Sequence, residues 1–181
     1  MPIDITVDDH VDLEIRNCLA ADTPRSFFLF AGAGSGKTRS LVQALHAGLS
    51  ERGNDLAIRG QQIAVITFTN AAADEVAARL EFSPLVRVST IHSFAWDLVR
   101  EFQSDIRTWL RAELSEKIDE LGSWSSRAGT KKEAERLNDL ERAQSRVAAI
   151  DEVRRFTYSP TGDNRGRAAL NHSQVIRLAA D

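Results

Sequence analysis

The sequence predicts an α/β fold, a parallel sheet with an all-helical segment attached, on three observations. Short apolar runs alternate with helical periods between residues 26 and 104, the pattern of a parallel sheet with right-handed crossovers. A Gly-rich turn, AGAGSGKT at residues 31–38, joins the first run to the first long helix. After residue 105 the strand signals stop, and the remaining periodicity is helical.

In chain order, Asp9 to Ala20 reads as an amphipathic helix, with Val11, Ile15 and Leu19 four apart and Cys18 on the same face. Ser26 to Ala31 is a continuous apolar run bounded by turn signals and reads as a buried strand of a parallel sheet. Lys37 to about Arg52 carries Leu41, Leu45 and Leu49 on one stripe, with Gly53-Asn54 as the expected stop. Gln62 to Phe68 is the second strand, and Asn70 is the expected cap of an Ala-rich helix ending near Leu80. Val86 to Ser89 is the third strand, followed by a helix from Ile91 to about Gln103.

Ile106 to Leu121 then reads as helix. From Lys131 to about Phe156, Leu137, Leu140, Val147, Ile150 and Val153 form a discontinuous apolar stripe in a stretch free of Gly and Pro. Tyr158 to Arg167 has the composition of a loop, and Asn171 to Ala180 that of a further helix. The organisation expected is an α/β segment over 1–104, an all-helical segment over 105–170 and the start of another helix over 171–181.

Composition narrows the function classes. The chain has 181 residues, 43% of them hydrophobic and 27% charged, with 10 Gly, 4 Pro and 1 Cys. That excludes collagen-like, disordered and disulfide-built classes, and one Cys makes neither an intrachain bridge nor a zinc cluster. Cys18 is expected to serve as a small buried hydrophobe. Asp4, Asp8, Asp9 and Asp12 stand where a signal peptide would carry basic residues, and no apolar run reaches the roughly 20 residues of a membrane span. A cytoplasmic protein with no membrane contact is the expectation. The net charge of −3 divides into 9 basic and 12 acidic residues before position 101 and 14 of each after it. Neither half signals nucleic acid by bulk charge.

The chemistry is carried by particular residues. A phosphate chain needs inward-pointing N–H groups, hence small residues, and then a helix N-terminus whose partial positive charge faces the anion. Gly32, Gly34, Ser35 and Gly36 can supply that wrap, Lys37 can reach the β- and γ-phosphate oxygens, and the Thr38 hydroxyl can ligate Mg²⁺. The loop departs from the usual pattern in having Ala31 at the first Gly position. Phe68 and Asn70 fall at the carboxyl end of the second strand, and Thr90, His92 and Ser93 at that of the third, where open α/β sheets place their ligands. An aromatic together with neutral donors suits single-stranded nucleic acid, with stacking for bases and hydrogen bonds for phosphates.

These segments resemble the superfamily 1 DNA helicases of the UvrD, Rep and PcrA type. AGAGSGKTRSL is similar to their first motif, ITFTNAAADEV to the next, and VSTIHSFAWDLVR to the DNA-contacting motif that follows, in the same order and spacing. The resemblance implies a partial RecA-like P-loop NTPase sheet with an attached helical subdomain. It implies ATP and Mg²⁺ as cofactors, held by Gly32, Ala33, Gly34, Ser35, Gly36, Lys37 and Thr38, with Lys37 the catalytic residue, Thr38 the metal ligand and Arg39 near the adenine. Phe68, Asn70, Thr90, His92 and Ser93 would face single-stranded DNA, translocated 3′ to 5′. The implied partners are DNA and a second RecA-like domain, in cis or in trans.

Three departures bear on that reading. The window Asp12 to Asn17 contains no Gln to read adenine, and Ala71 replaces a basic residue of the second motif. No Asp-Glu pair lies at a strand end to complete the Mg²⁺ shell and activate water, Asp151-Glu152 being expected on a solvated helix. The expectation is an ATP-binding helicase segment that does not by itself hydrolyse ATP efficiently. The alternative is a non-catalytic DNA- or protein-interaction module with a vestigial phosphate loop. A guanine-reading or kinase site is disfavoured, because no N-K-x-D follows. Arg154, Arg155, Arg165 and Arg167 read as solvated or DNA-backbone-facing, and Trp96, Trp109 and Trp124 as packing residues.

Overall fold

The computed structural model describes residues 7–19, 24–30, 32, 36–123 and 129–181. The chain divides into two compact units, residues 1–90 and 91–181, so the helix that begins at Ile91 groups with the second unit, whereas the sequence reading puts the boundary after residue 104. Among the described residues no helix is long and apolar enough to cross a membrane.

The first unit is mixed α/β. Helix α1 (Val7–Cys18) rests against α2 (Lys37–Arg59) and buries Ile15. Strand β1 (Ile63–Thr67) is followed by α3 (Asn70–Arg79) and β2 (Val86–Thr90), and the two strands pair in parallel with Val65 opposite Val88 and Thr67 opposite Thr90. Helices cover one face of this pair. Val42 and Leu45 of α2 and Val76 of α3 pack with Leu80 and Val65 into one core. On the other face Ala64, Ile66 and Arg87 alternate outward, the period-2 signature of a half-covered sheet.

The run at 26–31 corrects the sequence reading. Residues 26–30 form no strand, and Phe28 and Phe30 are 81% and 87% exposed, while Ala31 lies outside the described residues. Apolar continuity marks a strand only where neighbours accept and donate its main-chain hydrogen bonds. The described strands take theirs from each other.

Two helix ends also differ from expectation. Gly53-Asn54 does not stop α2, which continues to Arg59. The stop is Gly60, in the left-handed region at φ +62°, where its N–H donates to Ala57 O at 3.2 Å and that of Gln61 to Leu56 O at 2.9 Å. A left-handed residue is what that closure needs, and Gly supplies it without a Cβ clash. The cap of α3 is Thr69, whose hydroxyl accepts from Ala72 N at 3.2 Å, so Asn70 is the first helical residue.

The second unit is helical: α4 (Ile91–Val99), α5 (Gln103–Ser123), α6 (Lys131–Ala148), a 3-10 turn (Ile150–Glu152) and α7 (His172–Ala180). Ile106, Leu110 and Leu114, four apart on α5, pack with Ala143, Ile150, Val153, Phe156, Leu170 and Val175. The long helix expected over 131–156 ends at Ala148 because Ile150 and Phe156 turn inward to that core. Arg107 ties the new path down, donating to the carbonyls of Ile150 and of Val153, the latter at 2.7 Å, with its guanidinium 5.4 Å from the centre of the Phe156 ring. Helix α7 opens on a capping box that the sequence reading did not single out: Asn171 Oδ1 accepts from Gln174 N at 2.9 Å and Gln174 Oε1 from Asn171 N at 3.1 Å. Trp96 and Trp109 pack against the core, and Trp124 lies outside the described residues. Cys18 is half-buried rather than enclosed.

Candidate nucleotide and nucleic-acid site

Helix α2 begins at Lys37, immediately after Gly36 at φ +82°, a backbone conformation that favours Gly. Among the described residues no side chain caps this N-terminus, and its first turn holds no acid, only Lys37, Thr38 and Arg39. Helices ordinarily satisfy their first N–H groups with Ser, Thr, Asp or Asn and place acids in the first turn. This one does the opposite, and a helix N-terminus with basic side chains in its first turn favours an anion. The Lys37 ammonium donates to the carbonyl of Gly32. Thr38 is half-buried, and Gly32 and Arg39 are exposed. Ala33, Gly34 and Ser35 lie outside the described residues.

The strand-end residues of the first unit sit side by side, because β1 and β2 are parallel and in register at Thr67 and Thr90. Phe68, directly after β1, is 94% exposed. Asn70 is exposed in the first turn of α3, and Thr90 is buried at the end of β2. The Thr67 hydroxyl donates to Thr69 O at 3.0 Å, fixing the turn that presents Phe68. An apolar ring held outward this way has stacking as its available chemistry.

His92 and Ser93 occupy the first turn of α4 in the second unit, both half-buried. There His92 meets a partner that local sequence does not signal. The rings of His92 and His172 lie 4.9 Å apart, edge to face, and the Tyr158 hydroxyl is hydrogen-bonded to His172 Nδ1 at 2.7 Å. Trp96 completes the group, with its ring 6.1 Å from that of Tyr158. The contact of α4 with α7 creates this cluster, and no spacing rule links position 92 to 172.

Burial, and secondarily the neighbouring His172, hold the His92 pKa below its ordinary 6.5. The folded chain therefore binds fewer protons there than the unfolded chain between that lowered value and 6.5. The stability contributed by neutral His92 is present above this window and declines as pH falls through it. An NMR titration is expected to find the His92 imidazole midpoint below 6.5, with His172→Gln raising it only partway, since burial is the larger cause. A midpoint unmoved by His172→Gln would contradict the pairing.

Asp151 and Glu152 are exposed in the 3-10 turn that follows α6 rather than a strand. Asp151 accepts from Arg111 at 2.6 Å, and Glu152 is 3.7 Å from Arg167. Among the described residues no group of three or more His, Cys, Asp or Glu is arranged to hold a metal.

The sequence model of the UvrD/REP helicase N-terminal domain matches residues 14–176, most of the chain. The chain belongs to that family. The match runs through both units, so the α/β unit with the phosphate-loop sequence and the helical unit are parts of one helicase N-terminal region. Among its relatives, the Gabija protein GajB of Bacillus cereus (strain HuB5-5) is 35% identical over 100 residues, 55% of this chain and 15% of GajB. An ATP-dependent helicase/nuclease subunit from Geobacillus kaustophilus (strain HTA426) is 33% identical over 100 residues, 43% of this chain and 8% of that protein. The chain thus matches a small part of the length of each. No solved structure matches it.

Proposed function

We propose that this chain is the ATP-binding part of a UvrD-like DNA helicase. One observation carries the reading: the helix that begins within AGAGSGKT, at Lys37, has a basic first turn and no capping side chain among the described residues, with the Lys37 ammonium on the carbonyl of Gly32. In this reading Gly32, Ala33, Gly34, Ser35 and Gly36 wrap the ATP phosphates with main-chain N–H groups, Lys37 neutralises the β- and γ-phosphate oxygens, and Thr38 ligates Mg²⁺. Arg39 lies toward the adenine. ATP hydrolysis supplies the free energy for strand movement when the full enzyme is assembled.

Phe68 then stacks on a base, while Asn70, Thr90, His92 and Ser93 offer neutral donors and acceptors to a single strand moved 3′ to 5′. Segment 1–104 belongs to a RecA-like domain, 105–170 to its helical insertion and 171–181 to the helix that follows. A second RecA-like domain, in cis or in trans, completes the cleft. The exposed, ion-paired state of Asp151 and Glu152 supports a chain that binds ATP without turning it over efficiently. The same observation favours a second reading, an interaction module with a vestigial phosphate loop. Binding of Mg²⁺-ATP to the wild-type and Lys37→Ala chains separates the two: the helicase reading requires binding that depends on Lys37.

A further inference from the structure

The second unit holds a pocket of about 720 Å³ between α6, the loop leading to Leu170 and the start of α7. Its charged lining is Arg142, Arg146 and Arg167 against a single carboxylate, Glu141, and the first turn of α7 adds Asn171 and Gln174. Ligand pockets commonly fall in this size range, and the three arginines outnumber the nearby carboxylates, Glu141 in the lining and Glu113 behind Gln174 at 2.8 Å, which favours an anion.

The three arginines are held in different ways. Arg146 is half-buried, and its hydrogen bonds go to main-chain carbonyls, Ala169 O at 2.5 Å and Arg167 O at 3.3 Å. Carbonyls orient a guanidinium without neutralising it, and burial lowers its pKa while the Glu113 carboxylate acts in the opposite sense. Arg142 and Arg167 have only loose, exposed carboxylate contacts, Asp139 at 3.8 Å and Glu152 at 3.7 Å. Such pairs are worth little and exchange readily for a stronger anion. The pocket therefore has one fixed cation and two that can close on a ligand, and guanidinium forks match phosphate oxygens in pairs.

We propose that this pocket is a phosphate-binding site, filled by a phosphate group of a nucleic-acid strand or of a free polyphosphate. The site is independent of the phosphate loop, because every lining residue belongs to residues 91–181. The helix α6 spacing of Arg142 and Arg146, i and i+4, puts both on one stripe facing the loop that carries Arg167.

The test uses the 181-residue chain carrying Lys37→Ala, so that the phosphate loop does not contribute. Inorganic pyrophosphate binding is measured by calorimetry and that of a fluorescein-labelled oligothymidylate by anisotropy. Arg142→Gln/Arg167→Gln removes two exposed side chains without disturbing the Arg146 tether, and Arg16→Gln/Arg59→Gln matches its charge change elsewhere. If the phosphate belongs to a strand, the pocket variant weakens oligothymidylate binding by about tenfold or more and flattens its salt dependence by about 0.7 in log–log slope per arginine lost. If it belongs to a free polyphosphate, pyrophosphate affinity falls by a similar factor and oligothymidylate affinity is unchanged. Unchanged binding of both probes, or an equal loss in the control pair, would overturn the proposal.

Discussion

Replacing Phe156 by Ala is expected to destabilise the helical unit by about 3–5 kcal/mol, the range for removing a buried aromatic. Phe156 has no exposed surface. It packs in the core with Ile106, Leu110, Ile150, Leu170 and Val175, its N–H donates to Gln103 Oε1 at 2.7 Å, and Arg107 stacks on its ring. Truncation leaves an apolar cavity and withdraws the surface that orients Arg107, whose bonds to Ile150 and Val153 hold the turn after α6. Against a typical total of about 5–15 kcal/mol, that loss is a large share of a domain's stability. All three tryptophans fall after residue 90, so fluorescence-detected urea unfolding reads this unit. Glu116→Ala, at an exposed side chain on α5 of the same unit, is the comparison and is expected to stay within about 0.5 kcal/mol. Equal midpoints for Phe156→Ala and wild type would contradict the assignment of Phe156 to the core.

The second large effect concerns Phe68. Stacking of a base on an aromatic side chain is worth about 1–3 kcal/mol by alanine substitution, so Phe68→Ala is expected to weaken single-stranded DNA binding by roughly 5- to 150-fold. The ring is 94% exposed, so its removal costs the fold almost nothing, and the melting temperature should not move. Phe68→Trp keeps a stacking surface and should retain the affinity. Anisotropy with a labelled oligothymidylate measures both variants. Loss of affinity accompanied by loss of stability would point to packing instead.

How much is legible in the sequence follows from how local each signal is. The second and third predicted strands, at 62–68 and 86–89, emerge as the parallel pair β1–β2, and the helix expected over 171–180 forms over His172–Ala180. Periodicity is encoded within a few residues. The segment 26–30 misleads because an apolar run does not reveal whether neighbouring strands bond to it. Gly53 misleads as a stop because composition does not distinguish a Gly tolerated inside a helix from the Gly60 whose left-handed backbone ends it. At the candidate site, the residues proposed for the phosphate loop and the strand ends come from motifs. The contact of His92 with His172 and Tyr158 cannot, since it arises from the docking of α4 on α7. The arginines of the α6 pocket cannot either, because Arg167 joins Arg142 and Arg146 only through the fold of the connecting loop.

The central claim, that the Gly-rich turn and the start of α2 hold ATP through Lys37, is tested most directly by calorimetric titration of the chain with Mg²⁺-ATP. The prediction is binding of Mg²⁺-ATP that is weakened by about tenfold or more in Lys37→Ala through loss of a charge-assisted phosphate contact, with the unfolding midpoint unchanged because the Lys37 side chain is exposed. No binding by the wild-type chain, or equal affinity in Lys37→Ala, would contradict it.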